Sequence, residues 1–150
     1  MKRSIEEFMY LAIDEAKRAR EMCEVPVGAV VVKDNMVIGT GFNTVIHDQS
    51  VSSHAEINAL NAASQTLNNY RLINCDLYVT LEPCHMCAKA IVDARIRHLY
   101  FATLEPKNGS IVSQDSFFDK DHLNHNVNFS FGILEKEASM LLKSFFKIRR

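Results

Sequence analysis

Two short segments thirty residues apart constrain this chain more than anything else in it: His54-Ala55-Glu56, then Pro83-Cys84-His85-Met86-Cys87. Between them they offer one imidazole and two thiols, a ligand set suited to zinc, with a carboxylate close by. Structural zinc sites are usually closed by four protein ligands, whereas catalytic sites keep three and leave a position open. Three ligands and a neighbouring base therefore point to chemistry. Any fold the chain adopts must bring the two segments to one place.

Local geometry allows this. Cys84 and Cys87 lie about 60° apart around a helix, so both sulfurs leave one turn in the same direction. Pro83 suits a first helical position, where a missing N–H costs nothing. The thiols would then stand at a helix N-terminus, whose dipole favours thiolates. His54 and Glu56, two apart, fall on nearly opposite faces inside a helix. They share a pocket only if His54 stands at the very start, off the regular spiral, with Ser52 and Ser53 as capping residues. A lone C-x-x-C also fits two small buried hydrophobes, and it is the upstream H-A-E that turns the reading toward metal. Cys23 and Cys75 lack such company and are expected to be reduced packing residues. His85 is expected to point away from the metal, and His122 and His125 to be surface residues. His47, near Asn43, is left open.

The chain of 150 residues is expected to form a single domain, 1–150, and its 47% hydrophobic content is that of a globular protein. No apolar run is long enough to span a bilayer, and Met1 to Glu7 turns acidic and amphipathic at once, unlike a signal peptide. Four cysteines, two of them wanted by zinc, argue for a reducing compartment, so a cytoplasmic protein is expected, without membrane attachment or nucleotide cofactor. A net charge of −1 supplies no global basic field, so an RNA site would be a local patch. The candidate is Lys143-Ser144-Phe145-Phe146-Lys147-Ile148-Arg149-Arg150, where cations alternate with aromatics. The same pattern also fits an amphipathic helix with a solvated basic end.

Periodicity predicts a helix over 4–22, opened by a Ser4/Glu7 capping box, then strands Val27–Lys33 and Met36–Phe42 joined at Asp34-Asn35. A polar loop, 43–53, leads into the H-A-E helix, which runs to Leu67. Strand Leu77–Thr80 feeds the P-C-x-x-C helix, 84–95, followed by strand His98–Ala102. Residues 110–126 read as irregular or briefly helical, Val127–Phe131 as a fifth strand, and 133–148 as a helix with Leu134, Ala138, Leu141, Leu142 and Phe145 in line. Strands alternating with helices imply an α/β fold, a three-layer α/β/α sandwich, with its site where a strand hands over to a helix.

The pair H-x-E and P-C-x-x-C is the signature of zinc-dependent nucleobase deaminases. Beyond it, Pro26 to Val30, Asn69 to Leu72, Leu77 to Ala88 and the closing Phe145 to Arg150 resemble the bacterial tRNA-specific adenosine deaminases. The resemblance implies a cytidine-deaminase-like five-stranded mixed sheet, a homodimer, and conversion of a wobble adenosine in a tRNA anticodon loop to inosine. It implies one zinc per subunit on His54, Cys84 and Cys87, with Glu56 as catalytic proton shuttle. It assigns Asn43 to the flipped base, and the tail, with Phe145, Lys147, Arg149 and Arg150, to the anticodon loop. Ser50-Val51-Ser52-Ser53, Lys89 and Thr103-Leu104-Glu105-Pro106-Lys107-Asn108-Gly109 depart from the family pattern in segments expected to touch RNA or a partner subunit. Two alternatives remain beside this one: a deaminase of free bases or nucleosides, and a non-catalytic zinc-stabilised RNA-binding subunit.

Overall fold

A computed structural model describes residues 2–148. Helix α1 (Ile5–Glu21) opens on the expected capping box: the Glu7 N–H donates to Ser4 Oγ, and the Ser4 N–H donates to the Glu7 carboxylate. Strands β1 (Gly28–Lys33) and β2 (Met36–Phe42) form a hairpin whose tip, Asp34-Asn35, takes positive φ at both residues. That is the two-residue turn whose twist matches paired strands. Then come a short helix α2 (Val45–Asp48), α3 (Ala55–Leu67), β3 (Cys75–Leu81), α4 (His85–Asp93) and β4 (His98–Thr103). A single 3-10 turn at Phe117–Asp119 interrupts an irregular stretch before β5 (Asn128–Phe131) and α5 (Glu135–Ile148).

The sheet is mixed, in the order β2-β1-β3-β4-β5. β1 runs antiparallel to both neighbours, while β3, β4 and β5 run parallel. Alternation along the strands divides the core in two. Ala29, Val31, Leu77, Val79, Leu99 and Phe101 face α3 and α4. Val30, Val32, Tyr78 and Ala102 face α1 and Ala138 of α5. The α/β/α sandwich with its five-stranded mixed sheet is therefore present.

Several boundaries differ from expectation. Residues 45–48, read as loop, make one helical turn. β3 is longer than Leu77–Thr80 at both ends. The last helix starts two residues late because Leu134 has φ 57, outside the helical region. Helix α4 begins at His85, so Pro83 precedes the cap and does not occupy the first helical position. Cys75 is buried as expected, but Cys23 is exposed, at a positive-φ turn after α1. One close approach sets the site: Gly41 of β2 lies so near α3 that an added Cβ would stand 2.4 Å from the Ala59 nitrogen.

Candidate active site

The N-termini of α3 and α4 meet at one pocket. His54 is the N-cap of α3, with extended backbone (φ −76°, ψ 156°), so its side chain leaves the spiral while Glu56 sits in the first turn. That is the arrangement the two-residue spacing demanded. The capping group is not Ser52 or Ser53, however. The Ala55 N–H donates to Oδ1 of Asn43, at 2.9 Å, from twelve residues upstream. Asn58 reinforces this junction by donating to the Phe42 carbonyl and the Thr44 hydroxyl. Asn43 is thereby fixed beside His54, with its Nδ2 left over.

Cys84 is the N-cap of α4 (φ −78°, ψ 177°) and Cys87 lies one turn further in. Nδ1 of His54 stands 3.7 Å from Cys84 Sγ and 3.5 Å from Cys87 Sγ. All three donor atoms lie within 4.8 Å of one another. Zinc–sulfur and zinc–nitrogen bonds at a tetrahedral angle would set N and S roughly 3.6 Å apart, so the trio fits a zinc ion. Among the described residues this is the one such cluster. His122 and His125 join none, and His125 Nε2 lies 2.8 Å from the Ile96 carbonyl oxygen. His85 faces away from the trio, toward Ser110, Asp115 and the Phe117 ring.

The thiols hold their protons unequally. Hydrogen bonding from Cys87, opposed by burial and aided by His54, brings Cys84 down to about 4. The same hydrogen bond, then burial, pushes Cys87 up. Hydrogen bonding to Cys84 raises His54. A metal entering the trio takes the place of these protons. Glu56 is 4% exposed, and burial above all pushes its carboxyl up to about 7. An acid poised there can both take and return a proton near neutrality.

The pocket has a volume of about 150 Å³ and is lined by His54, Glu56, Cys84 and Asn43 together with Glu105 and Asn108. It shares Val25, Leu81 and Glu105 with a groove of about 380 Å³ that reaches Lys143 and Phe146 on α5. In the tail, Phe145 is the ring that packs inward, at 8% exposure, while Phe146, at 48%, lines the groove. A ring so buried offers little face to a base, whereas the Phe146 ring stands open in the groove. Lys147 is exposed at the end of α5, and Arg149 and Arg150 lie outside the described residues.

Sequence reasoning missed Val25, Glu82, Glu105 and Asn108 as pocket residues. Glu24 is buried and accepts from the Ile46 and His47 N–H groups, holding α2 beside the pocket. The departures at 103–109 were the only available signal. They touch the pocket at Glu105 and Asn108 and the groove at Leu104 and Pro106.

Comparison with known proteins agrees with this geometry. Residues 2–103 match the model of the cytidine and deoxycytidylate deaminase zinc-binding region. The tRNA-specific adenosine deaminase of Haemophilus influenzae is 44% identical over 146 residues, covering 97% of this chain and 84% of that one. The enzyme of that name from Aquifex aeolicus is 45% identical, covering 95% and 93%. A solved structure from a study of A-to-I editing by tRNA:A34 deaminases at the wobble position of transfer RNA superposes with a TM-score of 0.88. It is 43% identical and covers 91% of this chain and 99% of that one.

Proposed function

This chain belongs to the cytidine and deoxycytidylate deaminase family and, within it, to the tRNA-specific adenosine deaminases, and from that premise we propose how its residues convert a wobble adenosine to inosine. The carrying observation is the His54, Cys84 and Cys87 trio, sized for zinc, beside a buried Glu56. The protein is a zinc-dependent tRNA adenosine deaminase, with one zinc per subunit. When bound, the metal supplies a Lewis acid that activates water at neutral pH.

The chain's own groups do the rest. Glu56 takes a proton from the attacking water and delivers it to adenine N1. It then takes the second proton from the hydroxyl added at C6 and gives it to the departing amine, so that water enters and ammonia leaves. Its raised pKa suits each transfer. Asn43, with Oδ1 committed to α3, turns Nδ2 to the flipped base. The small pocket admits a base only once it is out of its stack, so the target must lie in a loop. The adjoining groove, with Phe146 and Lys143, and the cations that follow in sequence, Lys147, Arg149 and Arg150, grip the anticodon loop.

Residues 1–150 act as a single domain, working as a homodimer. The hollow between α3 and α4, lined by Ile57, Leu60 and an exposed Tyr70, offers apolar surface for that contact. A reducing, cytoplasmic setting suits four cysteines with no disulfide between them. No described helix is long and apolar enough to cross a membrane.

The test is inosine formation in an anticodon stem-loop carrying a wobble adenosine, with Glu56→Ala as control. Wild type turns over, while the variant keeps zinc and loses at least about a hundredfold in kcat. Appreciable turnover by zinc-loaded Glu56→Ala sinks the role of Glu56. No turnover by zinc-loaded wild type transfers the reading to free bases or nucleosides.

A further inference from the structure

Glu82 has no part in the proton transfers, yet its carboxylate is elaborately held. It is 2% exposed. One oxygen accepts from the Glu105 N–H at 3.0 Å and from the Ser113 hydroxyl. The other accepts from the N–H groups of Ile111 (3.1 Å), Val112 (2.8 Å) and Ser113 (3.0 Å). Among the described residues no cation pairs with it. A buried carboxylate without a cation stands only when dipoles replace its hydration, and here backbone dipoles do so.

The loop is shaped around this anion. Gly109 lies so close that an added Cβ would stand 2.2 Å from the Glu82 carboxyl carbon. A second tie runs outside: Ser110 Oγ meets His85 Nδ1 at 2.8 Å, and Asp115 meets His85 Nε2 at 3.2 Å. The Ser110 N–H also donates to the Pro83 carbonyl. Residues 105–113 are therefore bonded, inside and out, to the short stretch of chain that carries Cys84. That same segment contributes Glu105 and Asn108 to the lining of the pocket that holds His54 and Glu56.

We propose that Glu82 is a positioning residue for the deamination: its carboxylate clips the 105–113 segment to the β3–α4 junction, so that the pocket wall stands formed before the flipped nucleotide arrives. Preformed walls spare the substrate the cost of ordering them and hold it in reacting geometry. The effect belongs to substrate capture more than to proton transfer, because Glu82 touches the wall and not the reacting atoms. The kinetic part rests on the deaminase reading, while the clip itself is observable without substrate.

The experiment compares zinc-loaded wild type, Glu82→Gln and Gly109→Ala. Glu82→Gln turns an amide NH2 toward N–H donors. Gly109→Ala leaves Glu82 in place and attacks the clip from the loop side. Both should keep zinc and speed hydrogen exchange of the 111–113 amides about tenfold or more, since these are the amides the carboxylate holds. For the stem-loop substrate, KM should rise about tenfold while kcat falls by less than about threefold. Unchanged exchange at 111–113 overturns the clip. Faster exchange with unchanged KM overturns the positioning role, as does a loss confined to kcat or to folded fraction. If Glu82→Gln does not fold, Gly109→Ala and the milder Ser113→Ala decide by the same readouts. If zinc-loaded wild type turns over nothing, the deaminase reading fails and the positioning role falls with it, whatever the exchange shows.

Discussion

Asn43 carries two tasks on two atoms, and substitution can separate them. Its Oδ1 caps α3 through the Ala55 N–H, and its Nδ2 is the donor left for a base. Asn43→Asp keeps an oxygen at the cap and loses the donor, so stability should hold while KM for the stem-loop rises. Asn43→Ala loses both, with a further penalty of about 1 kcal/mol in unfolding free energy. Denaturant titration beside steady-state kinetics checks this, and equal stability loss in the two variants would refute it. The tail aromatics separate in a similar way. Phe145→Ala empties a buried site and should cost roughly 3 kcal/mol, whereas Phe146→Ala should barely alter stability and should weaken stem-loop binding. Spacing alone did not distinguish these rings. Adjacent positions at the edge of an apolar stripe differ by a rotation that only the packed neighbours settle.

At the scale of elements, the contact between β2 and α3 delivers His54 to the metal ligands on α4. Gly41→Ala drives a Cβ against the Ala59 backbone, which cannot yield as a side chain would. A loss of about 1–3 kcal/mol is expected, with weaker zinc retention because α3 moves away from α4. Zinc content after dialysis measures the second effect, and full retention would show that α3 adjusts without carrying His54 along. On β4, His98 stacks on Tyr100 and lies 2.9 Å from Ser130 Oγ. Burial lowers its pKa below 6.5, helped by Arg97 and opposed by Asp76. The folded state thus prefers the neutral ring. Its contribution is complete above 6.5 and declines as pH falls through that value toward the lower folded-state pKa. His98→Gln should flatten that part of the Tm-against-pH curve, and an unaltered slope would assign it elsewhere. Most of these elements were legible, because hydrophobic period and turn chemistry are local signals. So was the off-spiral placement of His54, which two-residue spacing makes necessary. The cap from Asn43 and the clip at Glu82 were not, since both bridge residues more than ten positions apart and follow no neighbour rule.

For the molecule as a whole, the balance of charge decides how it finds RNA. A net charge of −1 means that attraction to a polyanion must come from a patch, and Lys147, Arg149 and Arg150 put three cations within four residues. In sequence they follow Phe146, which lines the groove that shares Val25, Leu81 and Glu105 with the metal pocket. Each phosphate contact to a single-stranded loop contributes about 0.7 to the slope of log affinity against log salt, so three contribute roughly 2. Deleting residues 147–150 should therefore flatten that slope by about 2 and weaken stem-loop binding most at low salt. Zinc content and unfolding midpoint should stay close to wild type, because Lys147 and Ile148 are exposed. Any turnover of free adenosine should also be spared, since a nucleoside has no phosphates for the tail to hold. A deletion that lowers affinity equally at all salt concentrations would mean that the tail acts by shape or stacking and not by charge. A deletion that changes neither affinity nor slope would remove the tail from RNA recognition and leave the groove at Lys143 and Phe146 to account for it.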